Sequence, residues 1–172
     1  MTDQTSGNQV ADPFPPYRSG SRPLTRRQLP HVQLDQFPPA EMVGRLIEVC
    51  MSLPHVRAQE SRMAVPETRA LCLPDRFSHG PGEAFIDDHE FCHLHAAPPG
   101  GVHLTLPEPL RRAAVASGWA EQHPAVSGGI LPATVVMVYA PRDAQELGVV
   151  LRLVEASRLF AEGVLPNVRE SA

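Results

Sequence analysis

The stretch Glu90-Phe-Cys-His-Leu-His-Ala-Ala-Pro-Pro-Gly-Gly-Val-His-Leu-Thr-Leu106 decides how this chain is read. Phe91–His95 and Val102–Leu106 alternate as half-buried strands do, and the Ala-Ala-Pro-Pro-Gly-Gly run between them is a turn sequence, so the segment predicts an antiparallel hairpin. Alternation puts His93 and His95 on one face together with Phe91, and leaves Cys92, Leu94, Val102, Leu104 and Leu106 on the other. With the turn centred on Pro99, residue 95 faces 103 and residue 93 faces Thr105. His103 then joins the first face, where cross-strand β-carbons lie about 4.5–5.5 Å apart. Three imidazoles converge on a polar face whose reverse is apolar. By the same alternation Glu90 points away from His93, unless a bulge intervenes and makes it a carboxylate that orients the histidine.

The flanks complete an α+β reading. Val43, Leu46, Ile47, Cys50 and Leu53 fall at helical spacing between Pro39 and Pro54. Short strands are expected near 55–59 and 68–73, and residues 74–88 read as a loop. Glu108–Ser117 forms a short helix with Pro109 in its first turn and Gly118 at its end. Thr134–Tyr139 is a β-branched strand. Asp143–Ala161 is the longest helix, with Asp143 as cap and Glu146 in the reciprocal capping-box position. The order α-β-β-β-β-α-β-α lacks βαβ alternation. It predicts a single domain, mostly antiparallel sheet packed by about three helices, behind an extended Pro-rich N-terminal arm. The boundaries expected are a tail over 1–14, the arm over 15–38, the α+β domain over 39–165 and a second tail over 166–172.

Composition narrows the function classes. The chain has 172 residues, 15 basic against 19 acidic, for a net charge of −4. That is the wrong sign for nucleic-acid binding. No run of about 20 apolar residues exists to span a bilayer, and no secretory leader is visible, so a soluble cytoplasmic protein is expected. All 15 basic residues are Arg. A chain without lysine has no Schiff-base or P-loop chemistry, and with its many Ala and Pro residues it suggests a GC-rich, bacterial genome. Cys50, Cys72 and Cys92 are odd in number, have no CxxC spacing, and read as buried thiols.

Convergent imidazoles have two chemical uses. They can bind Zn²⁺ or Fe²⁺ with positions left open, the ligands being His93, His95 and His103. Alternatively one acts as general base while the others orient it. His123, in the loop before Ser127-Gly128-Gly129, is a further candidate at the mouth of the site. Trp119, the single Trp, is a packing residue or a substrate contact. Ser127 lacks the G-x-S-x-G elbow of a hydrolase.

The ordered motifs Glu90-Phe-Cys-His-Leu-His95, His103-Leu-Thr-Leu, Gly118-Trp-Ala-Glu-Gln-His-Pro124, Tyr139-Ala-Pro-Arg142 and Val154-Glu-Ala-Ser157 resemble the fungal luciferase family, the 3-hydroxyhispidin luciferases and their bacterial luciferase-domain relatives. Tyr17-Arg-Ser-Gly-Ser-Arg-Pro23 is similar to an element of the same family, which extends the resemblance over residues 15 to 163. It implies oxidation of an enolisable pyrone or phenolic small molecule, with O₂ as co-substrate and no organic cofactor. His93, His95, His103 and His123 would then be catalytic, and Arg18, Arg22, Trp119, Arg142 and Glu90 would contact substrate, the arginines stabilising an enolate or peroxide anion. Residues 96–101 are more apolar than the fungal counterpart, and no counterpart of the fungal N-terminal membrane segment is expected here. A metal- or small-ligand-binding module without turnover is the alternative. A cupin-like metal enzyme is a third, although Ala96, Ala97, Pro98 and Pro99 stand where that pattern has a Glu.

Overall fold

The computed structural model describes residues 14–95 and 101–166. A six-stranded antiparallel sheet forms its centre. The strands are β1 (Arg57–Glu60), β2 (Arg69–Cys72), β3 (Glu90–Leu94), β4 (Val102–Thr105), β5 (Ala120–Gln122) and β6 (Val135–Val138), in the spatial order β1-β2-β3-β4-β6-β5. The α+β reading holds. The helices are α1 (Ala40–Met51), α2 (Glu108–Ala116), the one-turn α3 (Pro124–Ser127) and α4 (Ala144–Ala161). Every element expected from periodicity is present, and the 74–88 loop contains two short 3₁₀ turns. The sequence reading missed β5 and α3, because three and four residues are too few to show a period.

The core lies on one side of the sheet. Cys92, Leu94, Val102, Leu104, Val136 and Val138 face Leu147, Val150, Leu153 and Val154 of α4, with Leu46 and Cys50 of α1 filling the edge. The Asp143 carboxylate accepts the Glu146 N–H at 2.8 Å and starts α4. Glu146 does not return the bond in capping-box fashion. Its carboxylate accepts the Arg142 backbone N–H at 2.8 Å and the Arg142 Nε–H at 2.9 Å. At the end of α2, Gly118 takes φ +86, a conformation glycine adopts without a Cβ clash. The three cysteines are free and buried. Burial pushes the Cys50 thiol up to about 12, so it behaves as a small apolar side chain. β1 is exposed along its length and closes the sheet with Arg57 and Glu60, charges that discourage edge pairing.

The arm is folded against the domain. Arg26 N–H bonds Val32 O at 2.9 Å and Leu34 N–H bonds Leu24 O at 2.8 Å, which makes residues 24–34 a small hairpin. Trp119 Nε1 donates to Pro16 O, Arg18 N–H to Ser117 O, and Ala140 N–H to Gln33 Oε1. These bonds lay the arm over the side of the sheet opposite α4. The expected tails fall almost wholly outside the described residues, as does the centre of the turn over residues 96–100.

Candidate functional site

Sheet register builds the site. Ala70, His93, His103, Met137 and Glu121 pair across β2, β3, β4, β6 and β5 in one row, so their side chains share a face. His93 pairs with His103, not with Thr105. The slip from the expected register is two residues, which preserves parity and leaves the three histidines on the same face. His95 follows just beyond β3.

Two expectations from strict alternation fail for one reason. In the β2–β3 pairing Leu71 faces Cys92 while Cys72 faces Glu90, so Phe91 is an extra residue, a bulge. The bulge turns Phe91 off the histidine face into the apolar core. It also brings Glu90 onto the histidine face, 3% exposed, with Oε1 2.6 Å from His93 Nδ1. Ser61 donates to both oxygens of that carboxylate, at 3.0 and 3.1 Å.

The cluster holds five imidazoles. His93 Nε2 and His95 Nε2 lie 2.8 and 2.9 Å from His103 Nδ1. His103 Nε2 lies 3.2 Å from Nδ1 of His31, a residue of the arm. His31 Nε2 meets Glu121 Oε1 at 2.7 Å, and the Tyr139 hydroxyl donates to Glu121 Oε2 at 2.9 Å. The His123 ring stands edge-on to those of His103 and His31, at centroid distances of 4.7 and 4.9 Å. Its Nδ1 accepts the Ala125 N–H at 3.2 Å. Two triads, His93–His95–His103 and His31–His103–His123, each bring their nitrogens within 4.8 Å of one another, a spacing open to a metal ion.

Burial, followed by repulsion from the neighbouring imidazoles, lowers the His95 and His123 pKa values to about 4 and drives that of His103 well below the ordinary range. These three rings are neutral at pH 7. Burial opposes ionisation of Glu121, but the hydrogen bonds it accepts from His31, Thr25 and Tyr139 outweigh this and hold its carboxyl below its usual value. Burial and the Glu121 charge push the Tyr139 phenol up to about 12.

A cavity of about 380 Å³ opens over the imidazoles. His31, His93, His95, His103 and His123 line its floor; Leu29, Met63, Val65, Ile130 and Leu131 form apolar walls. The size suits a small molecule. Arg18, Arg22, Arg142 and Trp119 do not line it. The Arg18 guanidinium donates to Ser21 O and Gln36 Oε1, with Nε 3.7 Å from Glu146. Arg22 donates to the carbonyls of Ala120 and Val115, and Arg142 to Glu146 and Ser19. Guanidiniums with several donors satisfy stranded carbonyls and a buried carboxylate here, and so fasten the arm. Sequence reasoning missed His31 and Glu121. Nothing local marked the first, which lies in a Pro-rich segment without periodicity, and the second lay on a strand too short to recognise.

Residues 88–157 match the family model described as a luciferase domain. Over 158 residues the chain is 27% identical to a luciferase of Armillaria ostoyae, covering 83% of this chain and 59% of the relative. Luciferases of Armillaria gallica and Armillaria mellea are each 26% identical over the same shares. The resemblance carried by the ordered motifs is thus borne out, and the chain spans about three fifths of the length of the curated relatives it matches. No solved structure matches. His31 lies outside the stretch that the family model covers.

Proposed function

We propose, from the luciferase-domain match over residues 88–157, that this chain oxidises an enolisable pyrone or phenolic small molecule with O₂ at the histidine cluster. The observation that carries the reading is the meeting of neutral imidazoles with an apolar-walled cavity of about 380 Å³. A planar, largely apolar ring fits between walls such as Leu29 and Ile130. Its acidic enol hydroxyl then meets ring nitrogens at the floor, where a neutral imidazole accepts the proton. The enolate's electron pair forms a C–O bond to O₂, which is reduced to a peroxide anion. The imidazolium returns its proton to that anion, so the sum is substrate plus O₂ giving a hydroperoxide.

The test is oxygen uptake by the purified chain with 3-hydroxy-pyrone and catechol-like candidates. Uptake that depends on both substrate and His95 supports the reading. Binding of such compounds with no oxygen uptake over a broad candidate set overturns it in favour of a module that binds without turnover.

A further inference from the structure

The hydrogen-bond partners of the five imidazoles leave opposed lone pairs when every ring is neutral. The Glu90 carboxylate, 2.6 Å from His93 Nδ1, requires the proton on that nitrogen, so His93 Nε2 presents a lone pair. The Glu121 carboxylate likewise requires the proton of His31 on Nε2, and His31 Nδ1 presents a lone pair. Both lone pairs aim at His103, one at each of its nitrogens, at 2.8 and 3.2 Å. A neutral His103 has one N–H and can satisfy only one of them. Whichever tautomer it takes, two lone pairs face each other across a hydrogen-bond distance. A second proton resolves the contact by making an imidazolium of His93 beside Glu90 or of His31 beside Glu121, whereas a cation shared by three ring nitrogens resolves it with every ring neutral.

We infer that His93 Nε2, His95 Nε2 and His103 Nδ1 bind one divalent transition-metal cation, held in register by Glu90–Ser61 on one side and His31–Glu121–Tyr139 on the other. A cation at this triad takes the lone pairs of His93, His95 and His103 Nδ1. The proton of His103 then sits on Nε2 and is donated to His31 Nδ1, and His31 Nε2–H is donated to Glu121. Every proton in the chain of contacts has an acceptor. Three imidazoles with two carboxylates behind them form the donor set of Zn²⁺ or Fe²⁺, and carboxylates that orient ligating histidines are the usual second layer. The nitrogen contacts of 2.8 and 2.9 Å must open to roughly 3.3 Å for tetrahedral ligation at 2.0–2.1 Å, a movement of a few tenths of an ångström per ring. His95 Nδ1, buried and without a hydrogen-bond partner among the described residues, becomes an N–H that a bound oxyanion can accept.

The second triad lacks the lone pairs for a cation. His123 Nδ1 accepts the Ala125 N–H at 3.2 Å, so its proton is on Nε2. With His103 Nε2–H already donated to His31, the triad His31–His103–His123 has no free set of three lone pairs. The described residues therefore hold one cation at this cluster.

The experiment is titration of the chelator-treated full chain with Co²⁺ and Zn²⁺ alone, without substrate, read by calorimetry and by the visible spectrum of bound Co²⁺. One equivalent is expected. His95→Ala and His93→Gln should weaken binding by at least 100-fold, Glu121→Gln by 10–100-fold, and His123→Ala by less than threefold. Absence of a bound equivalent, two equivalents, or a His123 dependence as strong as that of His95 overturns the assignment. Circular dichroism of each variant, with Glu121→Gln and His123→Ala as the mild changes, keeps loss of folding apart from loss of a ligand. Because neither substrate nor O₂ is present, failure here is separate from failure of the proposed oxidation: oxygen uptake unaffected by chelator would keep that reading and remove this one.

Discussion

The two faces of the central sheet are buried to a similar degree and by opposite means. On the α4 side, Leu104, Val102 and Val138 meet Val150, Leu153 and Val154, and contact requires only matching volume. On the other side, His93, His103 and Glu121 meet the arm through His31, and each contact requires a particular proton on a particular atom. An apolar face tolerates exchange among side chains of similar size. A buried polar face does not, because each unmatched donor or acceptor carries its full desolvation cost. The chain thus stores its stability on one side of the sheet and its chemical specificity on the other.

The largest expected effect breaks the polar side alone. His95→Ala should lower oxygen uptake by about 10²-fold or more, because it removes a ring nitrogen of the cavity floor that serves either as proton acceptor or as one of three cation ligands. Denaturant unfolding should change by no more than about 1 kcal/mol, because among the described residues the side chain of His95 bonds only His103. His93→Ala should also destabilise, since it strands Glu90 in a buried site with only Ser61 as partner. Normal activity in His95→Ala would end the division of labour between the faces.

The converse variant is Leu104→Ala. It empties volume at a fully buried position and should cost about 2–5 kcal/mol of unfolding free energy, while activity per folded molecule stays within twofold. Loss of activity without loss of stability would show that the faces are coupled.

Acid sharpens the comparison without mutation. His95 and His123 have folded-state values of about 4 against about 6.5 in an unfolded chain. Between these values the unfolded state binds more protons. The stability that comes from burying the neutral rings is therefore complete above pH 6.5 and lost as pH falls through about 4. For His95 alone this amounts to about 3 kcal/mol. Chelator-treated protein should show its Tm falling steeply from pH 6.5 to 4. The same slope with its sign reversed would mean that the rings are buried as cations.

Smaller effects mark the arm and the rim. Trp119→Phe removes the bond to Pro16 O and should cost about 0.5–1.5 kcal/mol, with faster proteolysis of residues 14–24. Arg62→Ala breaks the pair with Asp87, whose arginine is 68% exposed, and should move stability by less than about 1 kcal/mol.

The sequence alone determined the elements with a period and the parity of the central hairpin. The alternation of Cys92, Leu94 and Leu104 against His93, His95 and His103 is local information, since neighbouring side chains on a strand must point oppositely. A two-residue slip in register leaves that parity untouched, so the convergence was legible although the pairing was not. The ordered motifs carried the luciferase resemblance for the same reason, being runs of adjacent residues. Tertiary structure alone decided the rest. The bulge at Phe91 reversed Glu90, and the choice between regular pairing and a bulge depends on how β2 packs against β3. The arrival of His31 depends on bonds from the arm to Trp119, Ser117 and Ala140, between about 100 residues apart in the case of Ser117 and 107 in that of Ala140. Glu121 reaches His31 because β6 lies between β4 and β5. Contacts at such separations leave no periodic trace in the chain, because only the closed fold brings their partners within hydrogen-bond distance.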